Sequence, residues 1–296
     1  MKPFSLAVAT CALAVPISGC TDSASNGNDS LTVAVAFYPI EEIVRSVGDD
    51  SIEVITLVPP GTEAHEYEPT AKQFTRLETA DIVFFLGSGF QPNLEKAIDS
   101  LPSSVRRVDL INYVSLLTND EGVDPHVWLN PNNMQLLAHV VASTLSEELP
   151  AQSSTFDTNE ATYAAKIVAL DAEFTRGLTN CAVPVLITTH EAFAYLAKAY
   201  GLTQLAIAGI SPGDEPSAQS LEKIAELATA NGVTTVFFEE NLPPDLARTV
   251  ADEIGAETSS LGTAETLTQN QLDAGESYSS IMRANLQALR AAMGCT

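Results

Sequence analysis

The sequence predicts an α/β protein of two lobes, each with a mostly parallel sheet flanked by helices, joined by one long rigid helix. Three observations lead there. Short runs rich in Val, Ile and Phe alternate with segments of helical spacing, the pattern of βα units around a parallel sheet. The alternation stops after residue 110, gives way to two long helical stretches, and restarts after Gly177. With 296 residues, 45% of them hydrophobic, the chain has the length for one large domain or two medium ones and the apolar content for a real core.

In order, residues 31–37 (LTVAVAF) form a β-rich first strand, 41–48 a helix after Pro39, and 52–57 a second strand that runs into the Val58-Pro59-Pro60-Gly61 loop. Residues 70–78 have helical spacing, 81–86 (DIVFFL) read as a buried strand, 93–99 as a helix and 105–110 as a short strand. The stretch 132–148 is helical. Residues 150–158 read as a break, and 159–177 as an Ala-rich helix with Tyr163, Ile167, Leu170 and Phe174 three and four apart. The second series follows as strand 183–188, helix 192–200, strand 203–210, helix 221–230, strand 234–238, and helices 244–254 and 276–289. The expected boundaries are an N-terminal lobe over 31–155, a connecting helix over 156–178 and a C-terminal lobe over 179–296.

The first thirty residues stand apart. Lys2 precedes an apolar run, 4–17, too short to span a bilayer as a helix, and Ile17-Ser18-Gly19-Cys20 is followed by a polar stretch to Ser30. Small residues before a cysteine, with a polar linker after it, resemble the lipobox of bacterial lipoproteins. That resemblance implies a signal peptide over 1–19, Cys20 as the acylated first mature residue, and a disordered linker over 20–30. Cys11 would leave with the signal, so Cys181 and Cys295 remain as thiols, and in an exported protein such a pair is a candidate disulfide.

A formal charge of -24, from 14 Lys+Arg against 38 Asp+Glu, argues against nucleic acid and against docking on an anionic membrane surface, both of which need clustered cations. It leaves cations as ligands. The four histidines are the sharper clue. His65, His126 and His190 all fall at element ends, where α/β sheets gather ligands, whereas His139 sits inside a helix among Leu136, Leu137, Val140 and Val141. Three unrelated surface histidines would give the same spacing. Yet neutral imidazoles with one carboxylate suit Zn2+, which closes tetrahedrally at four ligands. In that arrangement His65 and His126 come from the first lobe and His190 from the second, so a metal would tie the halves together. Motifs of enzymes are missing: there is no HExxH, no Walker A and no GxSxG, and four protein ligands would leave no open coordination position for catalysis.

Six blocks in order carry a wider resemblance: PPGTEAHEYEPT, DPHVWLNP, ITTHEAFAYLAKAYGL, GISPGDEPSAQSL, VFFEENLPPDLARTVADEIG and YSSIMRANLQAL. Over about residues 31 to 291 the chain resembles the zinc- and manganese-binding solute receptors of ABC importers, and most of all their zinc branch. The resemblance implies a non-catalytic, lipid-anchored extracytoplasmic receptor, expected to be a monomer, that delivers Zn2+ to a membrane permease driven by an ATPase. It places metal ligands at His65, His126 and His190. The fourth position departs from the family: the stretch from Leu261 to Thr268 lacks the usual Asp, Glu265 is its nearest carboxylate, and Glu239 or water are the rivals. The His- and Asp-rich loop of many zinc-type members is reduced here to residues 118–124. A Mn2+ receptor of the same type, a surface adhesion protein with a structural metal, and a hydrolase are the alternatives. Three imidazoles favour Zn2+ over Mn2+, which prefers more oxygen.

Overall fold

A computed structural model describes residue 1 and residues 30–119, 122–240 and 242–296. The signal peptide, Cys20 and the linker up to residue 29 lie outside the described residues. Among the described residues no helix is long and apolar enough to cross a membrane.

The first lobe holds β1 (Leu31–Val35), α1 (Tyr38–Gly48), β2 (Ile52–Thr56), α2 (Ala71–Leu77), β3 (Ile82–Phe85), α3 (Pro92–Asp99) and β4 (Arg106–Asp109). A two-residue hairpin, β5 (Thr118–Asn119) with β6 (Gly122–Val123), precedes α4 (Pro131–Glu148). The long helix α5 (Ser153–Gly177) crosses to the second lobe: β7 (Val185–Thr188), α6 (Ala194–Ala199), β8 (Thr203–Ala206), α7 (Ala218–Ala230), β9 (Thr235–Glu239), α8 (Asp245–Ile254), β10 (Glu257–Leu261), α9 (Gln269–Asp273) and α10 (Tyr278–Met293). The two main sheets run β2-β1-β3-β4 and β10-β9-β7-β8, and every pairing within them is parallel. Counted within its own lobe, each sheet has the same strand order. Each therefore reverses its winding next to its first strand, between β1 and β3 and between β7 and β9. Ligands gather at such switch points, beyond the carboxyl ends of the strands.

The structure departs from the sequence reading at several elements. The connecting helix starts at Ser153, and residues 153–158 belong to it rather than to a break. Pro150 opens a short 3-10 turn, Pro150–Gln152, that leads into the helix, a place where its missing N–H costs nothing. The strand expected over 203–210 ends at Ala206, and the helix expected over 192–200 runs only over Ala194–Ala199. The sequence reading passed over β10 altogether. Its residues, ETSSL, have no apolar alternation because it is an edge strand paired only with β9.

The buried core runs across both lobes. Val33, Phe84, Phe90, Trp128 and Phe156 of the first half join Phe237, Leu261, Tyr278 and Met282 of the second in one continuous cluster. Polar ties cross the same boundary. The Trp128 indole N–H donates to the Thr263 carbonyl at 2.7 Å, and the Tyr278 hydroxyl donates to the Trp128 carbonyl at 2.7 Å. The Tyr195 hydroxyl donates to the Asp124 carbonyl and accepts from the Leu117 N–H, each at 2.9 Å. The lobes are therefore packed on one another by apolar burial before any ion is considered.

A disulfide joins Cys181, just after α5, to Cys295, just after α10, and closes a loop with a sequence separation of 114. Replacing both cysteines with serine is expected to lower the unfolding free energy by roughly 4 to 5 kcal/mol through the entropy restored to the unfolded chain. A urea titration checks this. An unmoved midpoint would mean that the unfolded chain does not gain that freedom.

Candidate metal centre

Each of the three element-end histidines is fixed by its local sequence. His65 follows β2 in a loop that Glu63 folds back on itself: its two carboxylate oxygens accept the backbone N–H groups of His65 at 2.7 Å and of Glu66 at 2.9 Å. The ring packs edge-on against Phe90, 4.7 Å between centroids. His126 lies in the Asp124-Pro125-His126 turn. One oxygen of Asp124 accepts both its backbone N–H, at 2.9 Å, and its ring Nδ1, at 2.8 Å. His190 follows β7, at the switch point, and its Nδ1 meets the carboxylate of Glu239, the last residue of the adjoining β9. Carboxylates thus hold His126 and His190 by Nδ1, which leaves each Nε2 as the free lone pair. This is the usual way a protein sets the tautomer of a metal-binding imidazole.

Those lone pairs converge. His65 Nε2 and His126 Nε2 are 3.3 Å apart, and Glu265 Oε1 lies 3.7 Å from the first and 3.8 Å from the second. One ligand atom from each of His65, His126, His190 and Glu265 falls within 4.8 Å of the others, and all four residues are buried. Bonds of about 2.0 to 2.1 Å from a central Zn2+ place ligand atoms roughly 3.3 Å apart in a tetrahedron. Moreover, His190 Nε2 and Glu265 Oε1 are buried without a hydrogen-bond partner among the described residues. A buried acceptor without a donor costs free energy, and a cation placed between these atoms removes that cost.

The electrostatics follow from burial and from these pairings. Burial drives His126 well below the ordinary histidine value of 6.5, with the neighbouring His190 adding to the effect. Burial also works to lower His190, but the hydrogen bond and charge of Glu239 outweigh it, and the net shift is upward. Glu239 itself is raised by burial, with the hydrogen bond from His190 pulling the other way. Asp124 is pushed up to about 7 by burial. Glu265 goes the other way. Burial opposes its ionisation, yet the contact with His65 and the attraction of the neighbouring imidazoles hold it down to about 2. The centre therefore combines a neutral His126, an ionised Glu265 and two further carboxylates, Asp124 and Glu239, that hold the rings of His126 and His190.

The structure brings together all four residues singled out as metal ligands, and it separates Glu239 from them by placing it behind His190. His139 lies on the exposed side of α4. The sequence reading did not anticipate the roles of Asp124 and Trp128. Asp124 carried a signal, an acidic residue two before a loop histidine. Trp128 carried none, because its partner, Thr263, is 135 residues away. A cleft of about 470 Å³ reaches His65 between Ser88, Val123, Pro125 and Asp214.

Comparison with known proteins points the same way. Residues 33–292 match the family model described as ZnuA, zinc-uptake complex component A, periplasmic. The zinc-binding lipoprotein AdcA of Streptococcus pneumoniae is 35% identical over 98% of this chain and 61% of its own length. The chain thus spans less than two thirds of that relative. The high-affinity zinc uptake system protein ZnuA of Bacillus subtilis is 33% identical, with 96% of this chain and 95% of the relative covered. Among solved structures, the Zn(II)-bound ZnuA-like domain of S. pneumoniae AdcA superposes with a TM-score of 0.78 at 36% identity, covering 89% of this chain and 99% of that domain.

Proposed function

The chain belongs to the zinc-uptake complex component A family, and on that premise we propose that it is a high-affinity extracytoplasmic zinc receptor that hands Zn2+ to the permease of an ABC-type importer. The zinc ligands are His65, His126, His190 and Glu265. One observation carries this reading: the four side chains meet in a buried cluster in which His190 Nε2 and Glu265 Oε1 have no hydrogen-bond partner among the described residues. Zinc is the cargo, not a catalytic cofactor, because four protein ligands fill its coordination sphere and leave no position for water or substrate. The lobes run over 31–155 and 179–296, joined by a connecting helix. The receptor works as a monomer, held at the membrane through acylated Cys20.

Three imidazoles and a single carboxylate favour zinc over manganese. Mn2+ stands at the weak end of the divalent series for nitrogen ligands and prefers an octahedron of oxygens. Protein isolated without chelators is expected to carry zinc near one ion per chain by elemental analysis. In competition titrations zinc is expected to displace manganese and not the reverse. Tighter binding of manganese would overturn the assignment.

A further inference from the structure

The loop that carries Glu265 is braced at successive residues, and the braces come from three different parts of the chain. Asn285, buried inside α10, clamps Gly262 from both sides: its Oδ1 accepts the Gly262 N–H at 2.8 Å and its Nδ2 donates to the Gly262 carbonyl at 2.7 Å. Gly262 is required for that approach, because a Cβ there would lie 2.6 Å from Ile281 Cγ2, also on α10. The next residue, Thr263, gives its carbonyl to the Trp128 indole, two residues beyond the ligand His126. Ala264 then adopts a left-handed backbone with φ 55°, a conformation that a side-chain-bearing residue keeps only when its surroundings enforce it. Beyond Glu265, the Gly61 N–H of the first lobe reaches both the Thr266 hydroxyl and the Leu267 carbonyl, each at 2.9 Å.

α10 is itself an anchored platform. Its first residue, Tyr278, donates its hydroxyl to the Trp128 carbonyl and its N–H to Glu42 at 2.7 Å, and Cys295 just past its end is tied to Cys181. Trp128 therefore bonds to α10 through its carbonyl and to the Glu265 loop through its indole. Glu265 sits between a strained residue and a cross-lobe contact.

We infer that Asn285 is a positioning residue for the metal: by clamping Gly262 it holds the strained loop in the one shape that presents Glu265 to the three histidines, with Trp128 as the second half of the clamp. The inference rests on the zinc reading above. It makes the fourth ligand a property of the last helix, so the two should fail together when either is changed. Outer partners that orient metal ligands are worth about 10- to 100-fold in affinity.

The test is a double-mutant cycle between Asn285→Ala and Glu265→Ala, read as zinc affinity by chelator competition on full-length proteins whose melting curves show them folded. Asn285→Ala is expected to weaken zinc by roughly 10- to 100-fold alone, and by less than about twofold once Glu265 is already alanine. The visible spectrum of the Co2+-loaded Asn285→Ala protein is expected to lose intensity as the Glu265 loop relaxes and water replaces the carboxylate. Equal losses in both backgrounds, or zinc affinity and a Co2+ spectrum like those of the parent, would overturn the clamp. Should Asn285→Ala fail to fold, Trp128→Phe decides the question by the same cycle: it deletes the indole N–H donor, and the packing it loses against Phe90 and His126 falls on both Glu265 backgrounds and cancels. If Glu265→Ala itself binds zinc as the parent does, the ligand assignment falls and the clamp with it. Loss with Glu265→Ala but none with Asn285→Ala sinks the clamp alone.

Discussion

Replacement of His190 by alanine is expected to weaken zinc binding by more than about 100-fold, beyond the range usual for outer partners of metal ligands. The same change at His139 is expected to leave it within experimental error. The difference comes from position. His139 lies on the exposed side of α4, outside the buried cluster of four ligands. His190 supplies the nitrogen that comes from the switch point of the second sheet, and its Nε2 is one of the two orphaned buried atoms that an ion would satisfy. Its loss leaves two histidines of the first lobe and one carboxylate to hold the ion, and also strands Glu239, buried and without its imidazole partner. Calorimetric zinc titration of both variants checks the contrast. Equal losses would show that the cluster is not the binding site.

How much of this was readable from residues alone varies along the chain. Strands such as residues 82–85, IVFF, announce themselves because a parallel strand buried on both faces is apolar throughout. The edge strand β10 does not: with sheet on one side only, its residues need not be apolar, and ETSSL resembles a loop. The same limit hides the common winding of the two lobes. A shared strand order is a property of crossovers, and crossovers leave no trace in composition. At the centre, His65, His126 and His190 stood out because histidines are few and these lie at element ends. Glu265 was one carboxylate among 38 acidic residues and came forward only through a family resemblance. Asn285 and Trp128 were invisible for a different reason. Each acts on a backbone carbonyl or N–H, and backbone groups are the same at every position, so no residue type marks the partner.

Acid is expected to release the ion, with zinc affinity falling steadily from pH 7.5 to pH 5. Zinc competes with protons for the imidazole lone pairs, so each ring that must lose a proton costs about tenfold in affinity per unit of pH below its own pKa. His190 and His126 do not contribute equally. His190, raised above 6.5 by Glu239 despite its burial, takes up its proton before His126 does and acts on the upper part of the fall. His126, held well below 6.5 by burial, stays ready to bind and contributes only at the acid end. Glu265, held down to about 2, remains ionised across the whole range. Metal-free stability responds to the same groups with opposite signs. His126 takes up its proton more readily unfolded than folded, so it costs stability as pH falls below 6.5. Asp124, raised from 3.8 to about 7, contributes stability that is full below 3.8 and lost as pH rises through 7. Between pH 5 and 7 these two contributions work against each other, so affinity should change more steeply than the melting temperature of the metal-free protein. Chelator competition at fixed ionic strength, alongside melting curves, separates them. A zinc affinity that stays flat across that range would be incompatible with a site made of histidines.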